Sequence, residues 1–376
     1  MPELQDVFQL YGEEYRRKHK LSCAQAKAMT AIEQCRTSKL GYHADTCENC
    51  GNIQISYNSC RNRHCPKCQT LSKERWLDKQ KHDLFNTGYF HVVFTVPEAL
   101  RPLFYQNQSA MYGLLFKTVA ETLHVLSQNK KYLGAKLGFT SILHTWGQNL
   151  HYHPHIHCIV PGGGLNSLGQ WVSSRKKFFL PVRVLSRLFR GKFLAALSRM
   201  NLNFFGEQKH LENPADFKSL MDSCYRKEWI VYCKPPFRSA ACVVEYLGRY
   251  THRVAISNNR ILSIKDGIVS FKWRDYKDSN RWKVMTLSAD EFIRRFLMHI
   301  LPPGFMKIRH YGILASKDKS KRVALCKRLT GTPVTTKATL SSAELIRKIT
   351  GRDITLCPAC GHPWSCSGGL SPPIPA

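Results

Sequence analysis

The chain has 376 residues, with 56 lysines and arginines against 26 aspartates and glutamates, a formal net charge of +30. That length is enough for two or three domains and a substantial core, and an excess so basic favours a polyanionic partner, most often nucleic acid, over a basic protein whose charge only aids solubility. No run approaches the roughly 18 apolar residues of a membrane span, so no membrane partner is expected.

The opening MPELQDVFQLYGEEYRRKHK lacks the charged-then-apolar layout of a secretory leader, so a cytoplasmic location is expected. Thiols stay reduced there, and 15 cysteines then point to metal rather than disulfides. The stretch CAQAKAMTAIEQC reads as helix, with Cys23 packed inside it. The densest cysteine region follows, from Cys35 to Gln69. Two CxxC knuckles, Cys47/Cys50 and Cys65/Cys68, suit one tetrahedral structural zinc. Cys35, His43, Cys60 and His64 bracket and interleave with them and could form a second zinc site. Arg61, Arg63 and Lys67 add positive charge between the knuckles, which makes the module a candidate DNA-contact surface.

YFHVVFTVP, residues 89 to 97, reads as a strand closed by proline, and the segment from Glu98 to Gln128 carries helical apolar spacing. GFTSILHTWGQ, 138 to 148, reads as the next strand, pairing with HYHPHIHCIVPGGG, 151 to 164. In a strand, residues two apart share a face. His155 and His157 then point the same way, about 7 Å apart, while Ile156 faces the core. Two such imidazoles can converge on one cation. A third ligand is expected from the neighbouring strand: Gln148 stands first, with His144 and His153 as rivals. Pro154 interrupts the regular pattern before His155.

In SAACVVEYLGRYTHRVAIS, 239 to 257, Val243, Tyr246, Leu247 and Tyr250 fall at helical spacing. Tyr246 and Tyr250 are i, i+4 neighbours whose hydroxyls can reach one place. Arg249 and Arg253 accompany them, as suits a helix facing phosphate. A tyrosine hydroxyl can act as a covalent nucleophile, and a metal beside it can polarise a phosphoryl oxygen. These are the parts needed to cleave DNA through a phosphotyrosine.

HPHIHCIVPGGG with EYLGRYTHR, behind CENCG and YNSCRNRHCPKCQ, resembles the two-tyrosine, insertion-sequence-91-like HUH transposases of rolling-circle elements. The label HUH denotes histidine-hydrophobic-histidine, here His155-Ile156-His157. The resemblance runs from about Cys23 to RHYGILAS, and three motifs in order make it specific. It implies an α+β fold, a central antiparallel sheet flanked by helices, with a small N-terminal zinc-binding module. It implies Mg²⁺ or Mn²⁺ on His155 and His157, and Tyr246 and Tyr250 as nucleophiles that leave a 5′-phosphotyrosine and a 3′-hydroxyl. The substrate would be single-stranded or hairpin DNA at the ends of a mobile element, together with target DNA. No GxxxxGK[ST] motif marks an ATPase, so unwinding would fall to host replication or helicase proteins.

Further on, NNRILSIKDGIVSFKWRDY reads as a hairpin turning at Lys265-Asp266-Gly267, and Ser288 as a helix N-cap. KIRHYGILASKDKSKR mixes cationic and aromatic residues and could track a DNA backbone. Cys357 and Cys360 form half of a further zinc site, which Cys326, His362 or Cys366 could complete. The expected division is a zinc module over 1–85, a catalytic domain over 86–300 and a basic extension over 301–376. Two rival functions remain: a non-catalytic zinc-dependent nucleic-acid-binding protein, that is, a degenerate transposase, and a metallohydrolase, which lacks an evident carboxylate-rich site.

Overall fold

The computed structural model describes residues 2–175, 179–237, 242–243, 246, 248, 255–276, 278–333 and 340–364. Two helices open the chain, α1 (Leu4–Lys18) and α2 (Cys23–Glu33). Leu4, Val7, Phe8 and Tyr15 form the buried stripe of α1. Ser22 caps α2 by accepting from the Gln25 backbone N–H, and the Gln25 side chain accepts from the Ser22 backbone N–H, a reciprocal capping box. Cys23 lies exposed at the start of that helix rather than packed inside.

The hairpin of β1 (Tyr42–Thr46) and β2 (Ile53–Tyr57) follows, exposed along almost its whole length. Helix α3 (Pro66–Lys81) then starts directly at Cys65, with Pro66 supplying a preset first turn.

A five-stranded antiparallel sheet forms the centre. Its members are β3 (Tyr89–Thr95), β4 (Gly138–Trp146), β5 (Tyr152–Pro161), β8 (Val231–Phe237) and β12 (Ile308–Gly312), in the order β12-β4-β5-β3-β8. The short pair β6 (Gly163–Leu165) and β7 (Trp171–Ser173) stands apart, so the glycine run after β5 enters a second hairpin.

The apolar stretch over 98–128 is not one helix. It breaks at Asn107 into α4 (Arg101–Gln106) and α5 (Gln108–Gln128), because the Asn107 side chain bonds the backbone of Asn203 in both directions, at 2.8 and 2.9 Å. With α6 (Val182–Leu197) and α7 (Pro214–Arg226), these helices cover one face of the sheet. Phe90, Val92, Phe94, Leu143, Ile156, Cys158 and Val160 point into that core, where Phe94 meets Phe189 edge-on at 5.1 Å.

A second sheet, β9 (Ile261–Lys265), β10 (Ile268–Asp275) and β11 (Arg281–Ser288), turns at Asp266 and Gly267. Both turn residues have positive φ, 50° and 73°, as a tight two-residue hairpin demands. Ser288 caps α8 (Ala289–Leu297) by accepting from the Glu291 N–H. The apolar face of α8 packs on α1, with Phe8 and Phe296 in edge contact at 5.5 Å.

The C-terminal part holds α9 (Lys319–Leu329) and α10 (Ser342–Thr350). Beyond residue 300, Ile308–Gly312 forms the edge strand of the central sheet, paired along β4. Helices α1 and α2 share their apolar core with residues of 255–300. Among the described residues, no helix is long and apolar enough to cross a membrane.

Candidate active site and cysteine centres

Strand β5 lies inside the sheet between β4 and β3, and its alternation leaves His155 and His157 on the face opposite the helical core. In the antiparallel register His144 stands directly across from His155. Directly opposed residues share a face, so His144 joins the pair. One ligand atom from each of His144, His155 and His157 lies within 4.8 Å of the others. The register slips between His144 and Trp146, and this bulge accommodates Pro154, which has no N–H for the ladder.

Gln148 is not part of the group. Trp146 pairs with Tyr152, so the connection spans 147–151 and carries Gln148 away from the histidines. Its amide donates to the Tyr276 hydroxyl at 3.0 Å, and its carbonyl accepts from Arg260. The third ligand offered is His144. His153, the other rival, accepts from the Arg101 guanidinium at 3.1 Å.

The histidines are already oriented. His155 Nδ1 donates to the His153 carbonyl at 2.6 Å, which leaves Nε2 as the atom that could ligate a cation. His157 Nδ1 lies 2.7 Å from His91 Nε2, and the two rings stack within 5° of parallel. Burial first, and neighbouring imidazoles second, hold His155 at a pKa of about 3 and His157 well below the ordinary range. Both are neutral at physiological pH, the form in which imidazole binds a cation.

His91 is a site residue that the sequence reading missed. Phe90, Val92 and Phe94 of YFHVVFT point into the core, which leaves His91 on the histidine face by the same period of two. Its other nitrogen, Nδ1, lies 2.9 Å from the Tyr246 hydroxyl. Burial, and then the Lys234 ammonium, keep His91 neutral, with a pKa of about 3. Lys234, on β8 opposite His91, also sits 5.9 Å from the centre of the Tyr246 ring.

Cys242, Val243, Tyr246 and Gly248 are helical. Val243 and Tyr246 pack with Leu77 of α3 and Ile142 and Ile159 of the sheet, which carries the Tyr246 ring over the histidine face. Tyr250, Arg249 and Arg253 lie outside the described residues.

Among the described residues the cysteines form two centres, and neither is a quartet expected from spacing. Cys35, Cys60, Cys65 and Cys68 make one; Cys47, Cys50, Cys357 and Cys360 make the other. In the first, Cys35 and Cys60 each place Sγ 3.6 Å from that of Cys68. The Cys60 and Cys65 thiols drive the Cys68 thiol far toward thiolate, the form that binds metal.

The expected grouping of Cys47, Cys50, Cys65 and Cys68 fails because the first knuckle sits at the tip of the exposed β1–β2 hairpin. The second sits at the start of α3, beside the end of α2. His43 is exposed on β1 and belongs to neither centre. His64 is buried, with Nε2 accepting from the Leu301 N–H at 3.2 Å and Nδ1 paired to Asn62. It joins the N-terminal region to the segment after α8. Cys326 lies in a separate apolar cluster around Phe85 and Ile313.

Of the arginines expected to touch DNA in this region, Arg61 is exposed, whereas Arg63 turns inward. Arg63 donates to the Phe305 carbonyl at 2.8 Å, and burial lowers its basicity.

The family described as "Transposase zinc-binding domain" matches residues 7–96, and the family described as "Putative transposase" matches 138–322. The chain is 49% identical over 369 residues to "Putative transposase y4qJ" of Sinorhizobium fredii (strain NBRC 101917 / NGR234), covering 96% of this chain and 93% of that protein. It is 27% identical over 303 residues to "Transposase for insertion sequence element IS801" of Pseudomonas savastanoi pv. phaseolicola, covering 78% of this chain and 71% of that one. No solved structure matches. The chain belongs to the insertion-sequence-91-like transposases with an N-terminal zinc-binding domain. Membership implies a DNA substrate, and the cysteine centres fit structural zinc.

Proposed function

We propose that the protein nicks and joins single-stranded DNA at the ends of a mobile element through 5′-phosphotyrosine intermediates, in a rolling-circle transposition. The observation that carries this reading is the chain of contacts from Tyr246 through His91 to His157. A nucleophile is thereby joined to a histidine trio with the composition of a cation site.

His144, His155 and His157 would hold a divalent cation, Mg²⁺ or Mn²⁺, which supplies charge stabilisation at a phosphoryl oxygen. Imidazole is not a typical ligand for hard Mg²⁺, and ligand type does not choose between the two ions. With His157 ligating through Nε2, its Nδ1–H donates to His91 Nε2. His91 Nδ1–H then donates to Tyr246 Oη. In that tautomer series the tyrosine oxygen accepts, and its own proton is the one to be surrendered. Lys234 adds positive charge beside the ring.

The Oη–phosphorus bond forms as the phosphorus–O3′ bond breaks. The departing O3′ takes up a proton and becomes the 3′-hydroxyl. Attack of a 3′-hydroxyl on the phosphotyrosine reverses the exchange and joins strands. Tyr250, four residues on in the sequence, is the second nucleophile in this reading. Arg249 and Arg253 would meet phosphate there, and Arg61 would contribute from the zinc-binding region.

The test is a denaturing gel of the protein with a labelled single-stranded element end and Mn²⁺ or Mg²⁺. A metal-dependent covalent adduct, lost in Tyr246→Phe, is expected. Cleavage without an adduct would indicate activated water, and binding without cleavage a DNA-binding module; either outcome overturns the proposal.

A further inference from the structure

We propose that Cys47, Cys50, Cys357 and Cys360 bind a second zinc ion, completing one zinc ribbon whose halves lie at opposite ends of the sequence. Half of these ligands fall outside the residues, 7–96, that match the zinc-binding domain. The site is therefore distinct from the centre at Cys35, Cys60, Cys65 and Cys68.

The two halves repeat one another. Each reads Cys-x-x-Cys-Gly. In the first, the Cys47 N–H donates to the Asn52 carbonyl at 2.9 Å and the Gly51 N–H to the Cys47 carbonyl at 2.8 Å. In the second, the Cys357 N–H donates to His362 at 2.8 Å and the Gly361 N–H to Cys357 at 2.9 Å. Gly51 and Gly361 adopt the left-handed region at φ 70° and 72°, which favours glycine. The flanking pairs match too, Thr46 with Ile53 and Leu356 with Pro363. Each turn thus presents two thiols from one hairpin tip.

The tips face each other at a metal's spacing. Cys47 Sγ lies 3.7 Å from Cys360 Sγ, and Cys50 Sγ lies 3.7 Å from Cys357 Sγ. A tetrahedron with zinc–sulfur bonds of about 2.3 Å has edges of about 3.8 Å, whereas a disulfide needs about 2.05 Å. Apolar burial does not account for the contact, because the β1–β2 hairpin and most of residues 352–364 are exposed. In a small exposed ribbon the metal is what holds the fold.

The zinc would act as a clasp. Just before the second knuckle, α10 lies against α3: Arg75 donates to Ser342 Oγ at 2.6 Å, and Lys348 pairs with Glu74 at 3.1 Å. Besides its one buried apolar side chain, Leu345, α10 is held by exposed polar contacts of this kind, which contribute little. Leu77, one turn further along α3, packs against Val243 and Tyr246. The clasp therefore secures the helix that backs the nucleophile.

Zinc counting by elemental analysis and native mass spectrometry tests this on the full chain. Cys47→Ser/Cys50→Ser and Cys357→Ser/Cys360→Ser should each lose one zinc relative to the parent, and the quadruple variant should still lose only one. Two zincs lost by the quadruple variant, or none by the C-terminal pair, overturns the shared site. A second measurement avoids substituted cysteines. With a protease site inserted after Pro333, the cut C-terminal fragment should stay bound on size exclusion until a chelator removes zinc. Separation with the zinc count unchanged, or attachment that persists after zinc is gone, overturns the clasp.

Discussion

His91 and His157 lie on neighbouring strands with Nε2 and Nδ1 2.7 Å apart and their rings nearly parallel. One imidazole of the cation trio therefore has its second nitrogen committed to another imidazole, whose far side meets Tyr246. Partners of this kind fix a ligand's tautomer, and their loss costs about 10–100-fold in metal affinity or activity. His91→Ala should slow adduct formation by about that factor, with single-stranded DNA affinity by fluorescence anisotropy unchanged. His91→Gln, which can accept from His157 but cannot also reach Tyr246, should recover Mn²⁺ affinity more than rate. Equal recovery of both would argue against a link to the tyrosine.

The ligand assignment separates His144 from Gln148. His144→Ala should raise the Mn²⁺ concentration for half-maximal cleavage by about tenfold or more. Gln148→Ala should leave it unchanged, since that amide bonds Tyr276 outside the trio. Isothermal titration with Mn²⁺ checks both variants without reference to activity.

Stripping zinc should unfold the N-terminal region before the central sheet. Structural zinc contributes about 10 kcal/mol or more to small domains built around it. Cys35 and Cys65 are fully buried, so Cys65→Ser leaves a thiol-lined hole as well as an incomplete site. The thermal midpoint of the variant should fall, as read by circular dichroism. An unchanged midpoint would mean that this centre carries no structural load.

Phe8→Ala should cost about 3–5 kcal/mol in urea unfolding, the usual penalty for deleting a fully buried phenylalanine. Phe8 joins α1 to Phe296 of α8, far along the chain. The loss should therefore appear in unfolding of the region around β9–β11, not only at the N-terminus. Hydrogen exchange of α8 amides reads it directly.

Strands β3 and β5 and the turn at Asp266-Gly267 are legible in the sequence because each rests on local rules, a period of two or a positive φ. The pairing of β4 with β5 is legible for the same reason, but its register is not. Spacing across a hairpin put Gln148 opposite His155, and a five-residue connection with a bulge puts His144 there instead. His91 is hidden for a related reason: one histidine in an apolar strand reads as an isolated polar residue until the neighbouring strand's register is known. The zinc partition is not legible at all. Knuckles declare that they hold metal, yet nothing local says which knuckle faces which, and here nearness in sequence misleads. The reading of Tyr250, Arg249 and Arg253 rests on helical spacing alone, since they lie outside the described residues.

The distance between the two halves of the ribbon also sets an order of events at the ribosome. Cys50 is made 307 residues before the cysteine it meets. While the sheet and its helices are being synthesised, the first hairpin has two thiols and no partner. It can finish folding only after nearly the whole polypeptide has emerged, and a chain stopped short of Cys357 never finishes it. The last helix, and through it the support beneath Tyr246, is then secured only in full-length molecules. A prematurely terminated product would carry every histidine and tyrosine of the active site while lacking the tie that holds them in place.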